Sequence, residues 1–187
     1  MPSQTLEGGF TEPAIQSATA FRSVMEAMAR PGTCHTITGA IPPSPLSEAA
    51  GAVLLTLCDT NTPLYLAGPT DTPEVRAWIA FHTGAPLVGP AVCAFAVGSW
   101  ADLMPLDPYP SGTPDYPDRS ATLIVETDAL PNEKAALTGP GIKDKAYLSL
   151  PDLVPFQINH RLFPLGLDFI FTSKATVTAL PRSTQVS

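Results

Sequence analysis

The chain has 187 residues, 44% of them hydrophobic and only 14% charged, with a formal net charge of −7. Such a length and balance predict one packed domain and exclude a disordered chain. The ten basic residues are scattered and form no stripe, which excludes nucleic-acid binding driven by counterion release and a basic membrane-surface role.

No apolar run reaches the roughly 20 residues of a membrane-spanning helix; the longest candidate, Ala49–Cys58, is broken by Gly and Thr. Residues 1–10 carry neither a positive start nor an apolar segment for export, so the expected address is the cytoplasm. Cys34, Cys58 and Cys93, odd in number and far apart, read as buried reduced thiols. So low a charge content also hints that another chain covers part of the surface.

Taken along the chain, the pattern alternates between helical and extended segments, as in an α/β domain. Ala18, Phe21, Met25 and Met28 fall at helical spacing and predict an amphipathic helix that ends near Arg30, ahead of Pro31-Gly32. Thr33–Thr38 reads as a short strand, and Pro42, Pro43 and Pro45 as a stiff connector. Ser47 caps a helix over Ala49–Cys58, and a strand follows at Leu64–Ala67. Thr72-Pro73 opens the next helix, with Val75, Trp78, Ile79 and His82 on one face and a stop at Gly84.

Val92–Val97 predicts a buried strand and Ser99–Leu103 a single helical turn. Residues 105–117 form a proline-rich loop without periodicity. Ala121–Thr127 is a β-branched strand, and Glu133–Leu137 with Ala146–Leu148 predict a hairpin around Thr138-Gly139-Pro140-Gly141. Asp152 caps a helix that runs to about Leu162, with Pro155 confined to its first turn. Leu167–Phe171 and Thr176–Leu180 are the last two predicted strands, and the chain ends in a polar tail from about residue 182.

The sequence lacks a dinucleotide-binding glycine fingerprint, a phosphate-binding P-loop, a nucleophile elbow and any spaced Cys/His metal motif. Four segments remain, each open to two readings. His82, beside Thr83, either meets the last carbonyls of its helix or faces a ligand. Gly139 and Gly141 either shape a turn or free backbone N–H groups for an anion. Arg161 is a candidate partner for Asp168, whose apolar neighbours Phe169-Ile170-Phe171 imply burial and so demand a donor. That pair is either a structural joint or a ligand clamp. Arg182 and Thr184 follow the last predicted strand, and the guanidinium groups of Arg182 and Arg30 are either solvated at the surface, the more common fate, or paired with phosphate or phosphonate.

Across nearly its whole length the chain resembles the PhnH family of the bacterial carbon–phosphorus lyase pathway. The resemblance rests on the order and spacing of several blocks: Phe21-Arg22 with Arg30-Pro31-Gly32, Leu54–Asp59 with Thr62-Pro63, Phe81–Val88 and Ser111-Gly112-Thr113. It continues through Ala121–Ile124, Leu137–Ile142, Phe163–Asp168 and Leu180–Thr184. Arg119-Ser120 and the proline content of residues 105–118 depart from the pattern.

The resemblance implies one domain over residues 1–187, built as a three-layer mixed-sheet sandwich similar to a reduced large domain of pyridoxal-phosphate-dependent transferases, without the cofactor. The lysines, Lys134, Lys143, Lys145 and Lys174, all stand in turn-like contexts unsuited to a Schiff base. It further implies a homodimer-forming subunit working with PhnG, PhnI, PhnJ and PhnL. That assembly makes ribose 1-phosphonate 5-triphosphate from ATP and phosphonate, with the glycosidic chemistry on PhnI. The expected role is that of a noncatalytic subunit without cofactor or metal, retaining an anion pocket built from Arg30, His82, Arg161 and Arg182. Two alternatives stand beside it: an enzyme acting alone on a phosphorylated small molecule with Asp168 or His82 as base, and a protein that binds phosphonates or nucleotides without chemistry.

Overall fold

A computed structural model describes residues 6–128 and 134–187. The chain order is α1 (Pro13–Ala29), β1 (His35–Thr36), α2 (Glu48–Leu57), β2 (Leu64–Leu66), α3 (Pro73–His82), β3 (Phe95–Ser99) and α4 (Trp100–Leu103). It continues through β4 (Thr122–Glu126), β5 (Lys134–Thr138), β6 (Ala146–Ser149), α5 (Val154–Arg161), β7 (Asp168–Ser173), β8 (Thr176–Leu180) and β9 (Gln185–Val186). Six strands form a mixed sheet in the order β1-β8-β7-β4-β3-β2, and β6-β5-β9 form a second, smaller sheet. The strands β2, β3, β4 and β7 are mutually parallel, while β8 and β1 add on antiparallel.

Successive side chains on a strand point to opposite faces of the sheet, and this divides the core in two. Val97, Ile124, Ile170 and Val177 meet α1, α2 and α3 on one face. Ala96, Leu123, Val125, Phe169, Phe171 and Leu180 meet α4, α5 and the small sheet on the other. Both faces of the central strands are therefore covered. This explains why Leu123–Val125 and Phe169–Phe171 read as unbroken apolar runs rather than alternating ones. The result is a mixed α/β fold with the main sheet covered on both faces, and the α/β class is as expected.

Helix starts follow their capping chemistry. The Ser47 hydroxyl accepts from the Ala50 N–H at 3.1 Å and the Thr72 hydroxyl from the Val75 N–H at 3.1 Å. At α5 the expected cap is corrected: the helix is entered through Leu153 with no side-chain cap bond, Asp152 accepting only from the Val154 N–H at 3.3 Å, with Pro155 in the first turn.

Several expectations need correction. In α1 the buried stripe is Ala20, Val24 and Ala27, whereas Phe21 and Met25 are about half exposed at 47% and 52%. Both stripes have helical spacing, and it is the small residues that face α2 and the sheet. Of the strand expected at Thr33–Thr38, only His35 and Thr36 pair, at the sheet edge. The strand expected at Val92–Val97 begins at Phe95, because Pro90–Val92 form a single 3-10 turn. Cys34 is exposed, while Cys58 and Cys93 are buried and free, and burial pushes their thiols up to about 12 and about 11. Glu133, expected in the hairpin, lies outside the described residues.

The largest correction concerns the expected polar tail from about residue 182. It is structured: β9 pairs with β5 through Leu137 opposite Val186, and Thr184 and Val186 are buried. Burial alternates along Thr184–Ser187, but with Val186 the one apolar residue among them the sequence carries too little pattern to show it.

Candidate functional site

Asp168 and Arg182 meet at the start of β7 and just past the end of β8, strands that hydrogen-bond to each other from Phe169 opposite Leu180. The Arg182 backbone N–H donates to Asp168 Oδ1 at 2.8 Å, and Nη2 donates to Oδ2 at 2.5 Å. The Nε–H lies 3.2 Å from each carboxylate oxygen. Nη1 donates to the Pro117 carbonyl at 2.7 Å, and Nη2 also reaches the Ser120 hydroxyl. His160 in α5 sits with Nδ1 3.0 Å from the Arg182 carbonyl.

This pair keeps only 13% and 16% side-chain exposure. It is a structural clamp: one guanidinium binds β7, β8 and the proline-rich loop together, and its donors are largely spent before any ligand arrives. The partner of Asp168 is thus Arg182, correcting the pairing with Arg161. Arg161 is exposed in the last turn of α5, and no ion pair to it occurs among the described residues. The 105–118 loop is held by backbone bonds as well, from the Ala121 N–H to Pro110 and from the Gly166 N–H to Ser111.

The other candidates fall into two further places. His82 and Thr83 end α3. The His82 ring contacts Trp78 and Phe81 and lies 3.4 Å from the Glu7 carbonyl oxygen. The Thr83 hydroxyl donates to the Ile79 carbonyl and accepts from the Ala85 N–H, a helix-ending role. Gly139, Gly141, Arg30 and Thr184 gather at a corner where the β5–β6 turn closes on the end of α1. Gly141 has φ of +80°, and a Cβ there would lie 1.9 Å from the Ala29 carbonyl oxygen. Only glycine permits that approach. Arg30 is exposed and pairs with Glu26 at 3.5 Å. The Thr184 hydroxyl is buried without a hydrogen-bond partner among the described residues. No hydrogen bond or ion pair among the described residues joins Arg30, His82 and Arg182 to one another.

A concavity lies elsewhere, at the carboxyl ends of the parallel strands. There a cleft of about 430 Å³ is lined by Asp102, Glu126 and Asp128, by hydroxyl residues including Ser99 and Ser173, and by Lys174. Open α/β sheets present ligand crevices at this edge. None of these residues was singled out from the sequence. Their shared signal is that Ser99, Glu126 and Ser173 each end a parallel strand.

Glu126 is the chemically distinctive group. It accepts from the Ser47 N–H at 2.5 Å and from the Thr172 hydroxyl at 3.1 Å. Burial nevertheless raises its carboxyl above the ordinary range, with the Asp128 charge acting in the same direction and the accepted hydrogen bonds opposing it. Among the described residues no group of three or more His, Cys, Asp or Glu is placed to hold a metal ion.

Fold and site together define a mixed α/β protein whose best-placed arginine is committed to internal structure and whose carboxyl-edge cleft is acidic. Residues 8–187 match the family described as bacterial phosphonate metabolism protein (PhnH), and the chain belongs to the PhnH family, as its sequence blocks led us to expect. It is 40% identical, over 98% of its own length and 96% of the relative's, to the α-D-ribose 1-methylphosphonate 5-triphosphate synthase subunit PhnH of Rhizobium meliloti (strain 1021).

Two outcomes follow. Asp168→Ala, which strands Arg182, should cost about 3 kcal/mol in urea unfolding, whereas Arg161→Ala should cost under about 0.5 kcal/mol. Equal losses would contradict the clamp. For Glu126, a raised folded-state pKa means the native chain holds this proton more tightly than the unfolded chain. Its contribution is therefore full below the ordinary carboxyl range and is lost as pH rises through the raised value. Stability curves should show Glu126→Gln gaining on the parent as pH climbs from 4.5 towards neutrality.

Proposed function

We propose that the chain is a subunit of a synthase that builds α-D-ribose 1-methylphosphonate 5-triphosphate, and that it is noncatalytic by itself. The observation that carries this is its 40% identity, end to end, with a relative bearing that name. On this reading its partners are PhnG, PhnI, PhnJ and PhnL, it forms a homodimer, and it works in the cytoplasm.

Two features of the surface and sites support a partner-dependent role. Val154, Ile158 and Leu162, four residues apart along α5 and its end, are 57%, 47% and 48% exposed, and Phe21 and Met25 are exposed on α1. Apolar side chains grouped in this way commonly mark contact with another chain. The candidate bases have structural employment: Asp168 is bound by Arg182, and His82 packs against Trp78 and Phe81. A parallel core flanked by helices also suits a reduced relative of the pyridoxal-phosphate transferase large domain, whose cofactor this chain is proposed not to use.

The test is catalytic. The purified chain mixed with ATP and methylphosphonate should release no adenine and form no ribosyl phosphonate, while addition of PhnG, PhnI and PhnL should start the reaction. Turnover by the chain alone would overturn the noncatalytic reading. Turnover by the other three at an unchanged rate without it would overturn membership of the synthase.

A further inference from the structure

We propose that the cleft at the carboxyl ends of β3, β4 and β7 binds the hydroxyl face of a sugar, a ribosyl group in particular, and does not bind phosphate or phosphonate. The hydroxyl-binding chemistry rests on the cleft alone; the choice of ribose rests on the synthase reading above.

Size and position come first. A volume of about 430 Å³ lies within the roughly 300–1,000 Å³ usual for small-molecule pockets. The lining is drawn from separate parts of the chain brought together by the sheet: the entry to α2, the ends of β3, β4 and β7, and the β7–β8 turn. Such convergence fixes the polar groups on rigid elements rather than on one loop.

The charges then select the ligand. Among the described residues the lining carries three acidic side chains, Asp102, Glu126 and Asp128, and one cation, Lys174. A phosphate or phosphonate would enter against three carboxylates with one ammonium to offset them, in a half-enclosed site where charge is poorly screened. A bridging metal could reverse that preference, but the described residues offer no group of three ligands for one. A neutral polyol meets no such penalty.

Its hydroxyls are donors, and carboxylates are acceptors with about four lone-pair sites each. Glu126 accepts from the Ser47 N–H and side chain and from the Thr172 hydroxyl, fewer bonds than its two oxygens can take, and Asp102 accepts from the Ser99 hydroxyl at 2.5 Å. Both retain acceptor capacity and are held in place by the bonds they already make. Acidic side chains at this edge of a parallel sheet pair with ribose hydroxyls for the same reason in dinucleotide-binding folds.

The experiment is a titration of the isotopically labelled full chain, followed by the backbone amide resonances of Ser99, Asp128, Ser173 and Lys174. Adenosine at millimolar concentration should move these resonances, and inorganic triphosphate should leave them in place. Loss of the two hydroxyls in 2′,3′-dideoxyadenosine should weaken binding about tenfold or more, as should Asp102→Asn or Glu126→Gln. Unmoved cleft resonances with adenosine, equal binding of the dideoxy compound, or a response to triphosphate would each overturn the assignment. The ligand comparison decides the matter on the parent protein even where a variant does not fold. A silent cleft in a chain that still supports the synthase sinks only the cleft assignment. A responding cleft in a chain that adds nothing to the synthase sinks only the subunit reading and the choice of ribose.

Discussion

The Asp168–Arg182 pair is the contact on which much of this structure depends. Arg182 stands where the chain leaves the main sheet for the small one, so its position decides where Thr184 and Val186 arrive. Its guanidinium reaches Pro117 and Ser120 and fixes a proline-rich segment that has little regular structure to hold it. Its carbonyl lies beside His160 of α5. A single charged group thereby registers both sheets, a helix and a long loop, all at the amino-terminal edge of the parallel strands. Charges so enclosed need paired and hydrogen-bonded surroundings, and here both ions have them.

That commitment separates the two ends of the sheet by task. The amino-terminal edge is occupied by structural bonds, while the carboxyl edge is left concave and acidic. An arginine suited to phosphonate chemistry is consumed at one end, and the other end carries a charge unsuited to anions. This chain offers apolar surface along α1 and α5 and a cleft whose lining includes hydroxyls and carboxylates.

Much of the fold was legible in the sequence because local chemistry dictated it. Ser47 and Thr72-Pro73 each marked a helix start, and the apolar runs at 123–125 and 169–171 marked strands covered on both faces. The face of α1 was not legible, since Ala20-Val24-Ala27 and Phe21-Met25 are equally periodic and only tertiary packing chooses between them. Strand β9 escaped because two residues carry too little pattern. Of the site, Asp168 was rightly marked as needing a donor, but the nearer arginine in sequence, Arg161, was preferred to Arg182, which only strand pairing brings close. The cleft was missed because its members are individually ordinary and are collected solely by the parallel register.

The central claim is that this chain works as part of an assembly. It is tested most directly by co-expressing the tagged chain with PhnG, PhnI and PhnJ and measuring the mass of what the tag recovers at micromolar concentration. One stable particle containing all four chains is the expected result. Recovery of the tagged chain by itself would contradict it.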